Sequence, residues 1–126
     1  MGVFKITTFV LKRYTFMNWL FLLIGGVFEA VFAFSLSKIS ESTGKVMFLW
    51  ILSFIISVSL SMFMLYKAID NGINVSVGYA VWSGLGATFT VLAGILILKE
   101  PVSILKIFLL CTLILSIVGL NLISHK

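Results

Sequence analysis

Polar punctuation divides the chain into four long apolar runs. The first covers 19–36 and gives way to the polar stretch SKISESTGK at 37–45. The second, 46–65, ends at YKAIDNG, where Asp70, Asn71 and Gly72 predict a turn. The third, 73–98, is long enough to tilt or bend in a membrane. It stops at Lys99-Glu100-Pro101, because proline cannot continue a helix. The fourth, 102–123, carries Lys106 near its start, within snorkelling reach of the surface, and ends in Ser124, His125 and Lys126. Each run is close to the roughly 20 residues that a bilayer-spanning helix needs. Short loops make neighbouring helices antiparallel, so both termini fall on one side.

The expected architecture is all-α: an integral membrane domain of four transmembrane helices over 18–126. A basic lead-in at 1–17 precedes it, with Lys5, Lys12 and Arg13. That lead-in reads as amphipathic. No A-x-A cleavage site follows it, which argues against a signal peptide, and Met17 is an alternative start directly before the first run.

Composition removes the competing classes. Of 126 residues, 61% are hydrophobic and 10% charged, against about half and about a quarter in soluble domains. A globule of this length cannot bury so much apolar surface. A water-soluble enzyme is excluded, and so is a disordered chain. Lipid must be the main partner. The net charge of +5 comes from basic residues scattered at helix ends, where they meet headgroups, and does not suggest nucleic acid. The lone Cys111 cannot form an internal disulfide or a CxxC metal site, and reads as packing. His125 reads as a solvated tail residue. No ATP motif, metal cluster or Ser/His/Asp set occurs, so no cofactor is expected and any work must draw on an ion gradient.

The loop charges are nearly balanced. The terminus side holds Lys5, Lys12, Arg13, Lys67 and Lys126, and the other side Lys38, Lys45, Lys99 and Lys106. Such a small bias barely decides orientation. It suits dual insertion and an antiparallel pair of chains.

Glu41, Asp70 and Glu100 fall in predicted loops, whereas Glu29 lies near the middle of the first span, in LLIGGVFEAVFAF. A carboxylate at that depth costs roughly a few kcal/mol or more, and such residues mark ion or substrate paths. Gly25 and Gly26, at i−4 and i−3, let a helix or ligand come close, and Phe32, at i+3, offers a wall. In the third span, GYAVWSGLG places Tyr79 and Trp82 on one face. Both rings can hold a cation, and the Tyr79 hydroxyl can donate to a carboxylate. Gly84 and Gly86 weaken the helix and permit a bend. Removing a carboxyl from water favours its protonated form. A lipophilic cation can displace that proton, and a group that binds one or the other exchanges them across the membrane. One chain of four helices is too small to enclose a drug-sized cavity. A dimer would bring two copies of Glu29, with Ser116 and Gly119 of the fourth helix as a close-contact seam. The competing reading is a small membrane subunit that transports nothing.

The sequence resembles the small multidrug resistance family over nearly all of 17–126. The likeness rests on MNWLFLLIGGVFEAVFA, GYAVWSGLGA, LKEP and IVGLNLIS. It implies an antiparallel homodimer in a bacterial or archaeal plasma membrane that exports small organic cations against protons. Glu29 would carry both proton and substrate, and Tyr79 and Trp82 would line the site. Ser83 lies in the same motif, and Ser61, in LSMFML, matches a serine that some members aim at the glutamate. The expected cargo is a lipophilic or quaternary ammonium cation. Guanidinium is the alternative, although its exporters typically carry tryptophan where this chain has Phe32, a position at which the drug-exporting branch tends to have a small residue. The missing proline before helix three, in NGINVSVGY, and the long lead-in leave room for a heterodimer of unlike chains, such as a polyamine exporter.

Overall fold

The computed structural model describes the backbone of residues 2–124 and the side chains of residues 16–123. The sequence readings for His125, Lys126 and the side chains of Lys5, Lys12 and Arg13 lie outside the described residues. Four helices account for nearly all of the chain: α1 (Gly2–Glu41), α2 (Gly44–Asp70), α3 (Val75–Leu96) and α4 (Ile104–Ser124). Each includes a stretch long and apolar enough to cross a membrane. In lipid this is one of the few solutions available, since a helix satisfies its backbone groups internally.

The helix limits differ from the apolar runs for local reasons. α1 does not stop at Leu36. It continues through Ser37, Lys38, Ile39 and Ser40 to Glu41, because a helix leaving lipid can continue in water with polar side chains. Lys38 pairs with Glu41 at 3.5 Å, one turn along, and lies over the Phe34 ring. α2 begins at Gly44, whose φ of 65° suits glycine, and runs past Leu65 to Asp70. Asn71 and Gly72 make the expected turn, with Gly72 at φ 113° and its N–H donated to Ile69 O at 3.0 Å. Ile73, Asn74, Ile97 and Leu98 lie outside α3, which is therefore shorter than its apolar run. α2, with 27 residues, is the longer helix and the better candidate for tilting.

Two cross-links fix how α1 meets α2. Gly25 O accepts from Ser61 Oγ at 2.7 Å, and Ser35 Oγ bonds Ser53 Oγ at 2.8 Å. Numbers rise on one helix as they fall on the other, so the pair is antiparallel. α3 runs parallel to α1, with Gly25 against Trp82 and Gly26 against Leu85 and Gly86. α4 returns antiparallel to α3, where Ile117 packs on Gly84. Both described ends of the bundle thus lie on one side.

The apolar core comprises Leu22, Leu65, Ala68, Val81, Trp82 and Ile117, in the half nearest the α2–α3 turn. The rest of the described interior is built from glycines, buried hydroxyls and the Asn18 amide. Ser57 Oγ donates to Ser53 O at 2.6 Å and Thr88 Oγ1 to Gly84 O at 2.8 Å, so each is satisfied within its own helix. α4 touches only α3. Ile117 is its sole buried residue among those described, while Leu115 is 71% exposed.

Candidate functional site

Glu29 lies at the middle of the Phe16–Glu41 span, on the face of α1 that meets α3. Its carboxylate rests against Gly86, in the space a β-carbon there would fill. Oε2 is buried and has no hydrogen-bond partner among the described residues. An ionised oxygen so placed would be expensive unless a proton or a cation supplied the missing contact.

One turn earlier on α3 stands Trp82, 3% exposed. Its indole Nε1–H donates to Ser61 Oγ at 2.9 Å, and Ser61 in turn donates to Gly25 O at 2.7 Å. Three helices are joined by this relay of tryptophan, serine and glycine carbonyl. Gly25 is what admits the ring, since a β-carbon there would come within 2.9 Å of Trp82 Cδ1 and 3.3 Å of Met64 Cβ. Gly26 admits α3 itself, with Leu85 Cβ at 2.9 Å and Gly86 N at 3.2 Å from a β-carbon's place. In the chain described here, the two glycines before Glu29 serve helix packing.

Other sequence-derived candidates stand apart from the carboxylate. Ser61 directs its proton to Gly25 O, not to Glu29, because the carbonyl lies directly across the α1–α2 contact. Ser83 turns back to Tyr79 O, four residues earlier on its own helix. Tyr79 is 56% exposed and stacks obliquely on Trp82, with centroids 5.5 Å apart and planes at 49°. Its hydroxyl shows no bond to Glu29, and its outward position leaves it available to a ligand or a second chain. Phe32 packs edge-on against Phe54 of α2 at 5.9 Å.

Sequence reasoning missed the role of Gly86. α3 runs unbroken through Gly84 and Gly86, from Val75 to Leu96. The two glycines provide room: Gly84 for Ile117 at 2.9 Å, and Gly86 for the Glu29 carboxyl group. The signal that could have revealed this is the alignment of Gly25/Gly26 with a Gly-x-Gly pair on a helix two positions along the chain. Among the described residues, no group of three or more His, Cys, Asp or Glu could hold a metal ion.

Comparison with known proteins shows the family. The family model for the small multidrug resistance protein matches residues 17–113. An uncharacterized membrane protein of Bacillus subtilis, YvaE, is 38% identical over 110 residues, covering 86% of this chain and 88% of its own length. The guanidinium exporter of Yersinia pseudotuberculosis is 32% identical over 111 residues, and that of Escherichia coli K12 30% over 112. Each covers 86% of this chain and all of the exporter. The chain is a multi-pass membrane protein of the small multidrug resistance family, which are transporters and not enzymes.

Proposed function

We propose that the protein is a proton-coupled exporter of small guanidinium-type cations, with proton and cargo competing for Glu29. The observation that carries this reading is the mid-membrane carboxylate with an unpartnered oxygen facing the α1–α3 seam. The names of relatives at 30–32% identity supply the cargo class, favouring guanidinium over the bulkier ammonium ions expected from sequence. A guanidinium presents a planar fork of N–H donors that suits two fixed acceptors. Two Glu29 carboxylates from an antiparallel pair of chains would form that set, and they would titrate as one coupled unit. Trp82 and Tyr79 add ring faces that attract the delocalised charge.

The dimer belongs to the same proposal. α4 leaves its apolar side uncovered, with Leu109 57% and Phe108 64% exposed, and a second copy would complete the chamber around Glu29. Exchange of shape between the two protomers would then alternate access between the two membrane faces.

A second reading keeps the mechanism and enlarges the cargo to quaternary or lipophilic ammonium. Phe32 favours it. Where guanidinium exporters typically hold tryptophan, this chain has a ring without an N–H, tied to Phe54, and an apolar wall suits alkyl groups.

The deciding experiment is proton release from detergent-solubilised protein on addition of guanidinium or of tetraalkylammonium, repeated with Glu29→Gln. Release by guanidinium at lower concentration supports the first reading, and the reverse order the second. Unchanged release or unchanged transport in Glu29→Gln would refute both.

A further inference from the structure

A second carboxylate lies at the α3–α4 loop end of the same helix seam. Beyond Leu96 the chain turns back on itself, with Lys99 in the left-handed region at φ 55°. Glu100 N–H then donates to Gly94 O at 3.0 Å. The Glu100 side chain folds onto Gly94, whose missing β-carbon leaves the room, with Oε2 2.6 Å from where that atom would be. A left-handed non-glycine residue, a bare α-carbon and a backbone bond together hold this carboxylate over the end of α3, where it stays about half exposed.

It closes the end of a cavity of about 190 Å³ between α1 and α3, bounded by Ala30, Ala33, Ser37, Thr90, Gly94 and Glu100. At ~30 Å³ per water, this space takes a small hydrated organic cation. Its inner limit is Ala30, the residue after Glu29, and Thr90, whose hydroxyl donates to Gly86 O at 2.6 Å. The cavity therefore runs from the α3–α4 loop to within one turn of the Glu29–Gly86 contact. Small side chains line much of its length, and Phe34, Val91 and Leu98 complete its walls.

Lys106 holds the remaining side of Glu100. Its Nζ is 3.9 Å from Glu100 Oε2 and donates to Pro101 O at 3.2 Å. The ion pair is long, and both side chains are partly exposed. The ammonium thus occupies, loosely, the position an arriving cation would take.

We infer that Glu100 is an outer cation-binding carboxylate at the mouth of the α1–α3 cavity, where cargo exchanges with the tethered ammonium of Lys106 before reaching Glu29. This rests on the exporter reading above. A purely structural clasp on the end of α3 would alter abundance or thermal stability and leave cargo affinity alone.

The test is guanidinium transport in proteoliposomes, as rate against cargo concentration, for the wild type, Glu100→Gln, Glu100→Asp, Lys106→Gln and Glu29→Gln. A focused carboxylate raises local cation concentration roughly tenfold or more. Glu100→Gln should therefore raise KM about threefold to tenfold at low salt, with a near-normal maximal rate. The gap should close in about 1 M sodium chloride, where the screening length falls to ~3 Å. Lys106→Gln should lower KM, and Glu100→Asp should retain most of the wild-type value. Equal KM for Glu100→Gln and wild type at low salt overturns the inference, as does a raised KM in Lys106→Gln. Should Glu100→Gln not assemble, the Lys106→Gln result decides. A dead Glu29→Gln beside an unaffected Glu100→Gln refutes this inference alone, whereas wild-type protein that moves no cation refutes the exporter reading as well.

Discussion

The Glu29 carboxylate rests on the bare α-carbon of Gly86, occupying the place a side chain would begin. This contact joins the carboxyl group at the centre of α1 to the parallel helix α3, one helical turn from Trp82. It also explains why the acid can sit half-buried without a hydrogen-bonding partner on Oε2. The glycine provides space rather than a donor, which is what the proposed exchange of proton for cation asks of this carboxylate.

Gly86→Ala tests that relationship. The new methyl group would overlap the Glu29 carboxyl group, and the flexible end of the glutamate would have to move aside. Alanine favours a helix over glycine by about 1 kcal/mol, so the protein should remain folded. A reactive group displaced by about 1 Å can cost roughly a hundredfold in rate. We expect a fall in transport of about tenfold or more with a normal melting temperature, measured by flux in liposomes and thermal unfolding of the same preparation.

Ser61 is wholly buried and accepts the Trp82 indole N–H. Ser61→Ala leaves that donor and the Gly25 carbonyl without a side-chain partner, a loss of about 1–3 kcal/mol. Trp82→Phe removes the donor but opens a cavity. Because both changes break one bond, their combined effect on stability should be smaller than the sum of the two. Equilibrium unfolding of the two single variants and the double variant measures the difference.

Gly26→Ala should act on stability more than on chemistry. Its β-carbon would lie 2.9 Å from Leu85 Cβ and 3.2 Å from the backbone nitrogen of Gly86. Backbone cannot swing aside as a side chain does, so α1 and α3 must separate slightly. Overpacking of this kind costs about 1–3 kcal/mol. A lowered unfolding midpoint, with proton release retained by the folded fraction, is the expected result.

The four helices and the anomalous glutamate were legible in the sequence because lipid imposes severe rules. Spans must be long and apolar, and a charge such as Glu29 stands out within one. Those rules lapse at the surface, which is why Ser37 to Glu41 looked like a loop and is helix. Contacts between helices were less legible. Nothing in the 21-residue separation of Ser61 and Trp82 reveals that they share a hydrogen bond. Gly86 could be read as a weak point in α3 but not as the seat of Glu29, because that requires the parallel register of α1 and α3. The fold of Glu100 onto Gly94 depends on the left-handed Lys99, a conformation lysine does not advertise.

Gly119 offers a test of the second copy. In the single chain a β-carbon at this position meets nothing within 4 Å, and the neighbouring Ser116 is satisfied by Thr112 O at 3.0 Å within α4. Packing inside one protomer therefore gives no reason for a glycine, which weakens the helix by about 1 kcal/mol. If α4 is the dimer seam, the reason is close approach of another helix, as small residues allow in membranes. Gly119→Leu should then leave helix content intact while shifting the protein from dimer to monomer. It should also abolish transport without altering Glu29's own surroundings. Sedimentation in detergent against protein concentration, beside flux in liposomes, measures both effects. A dimer as tight as wild type would place the contact between copies on a different face.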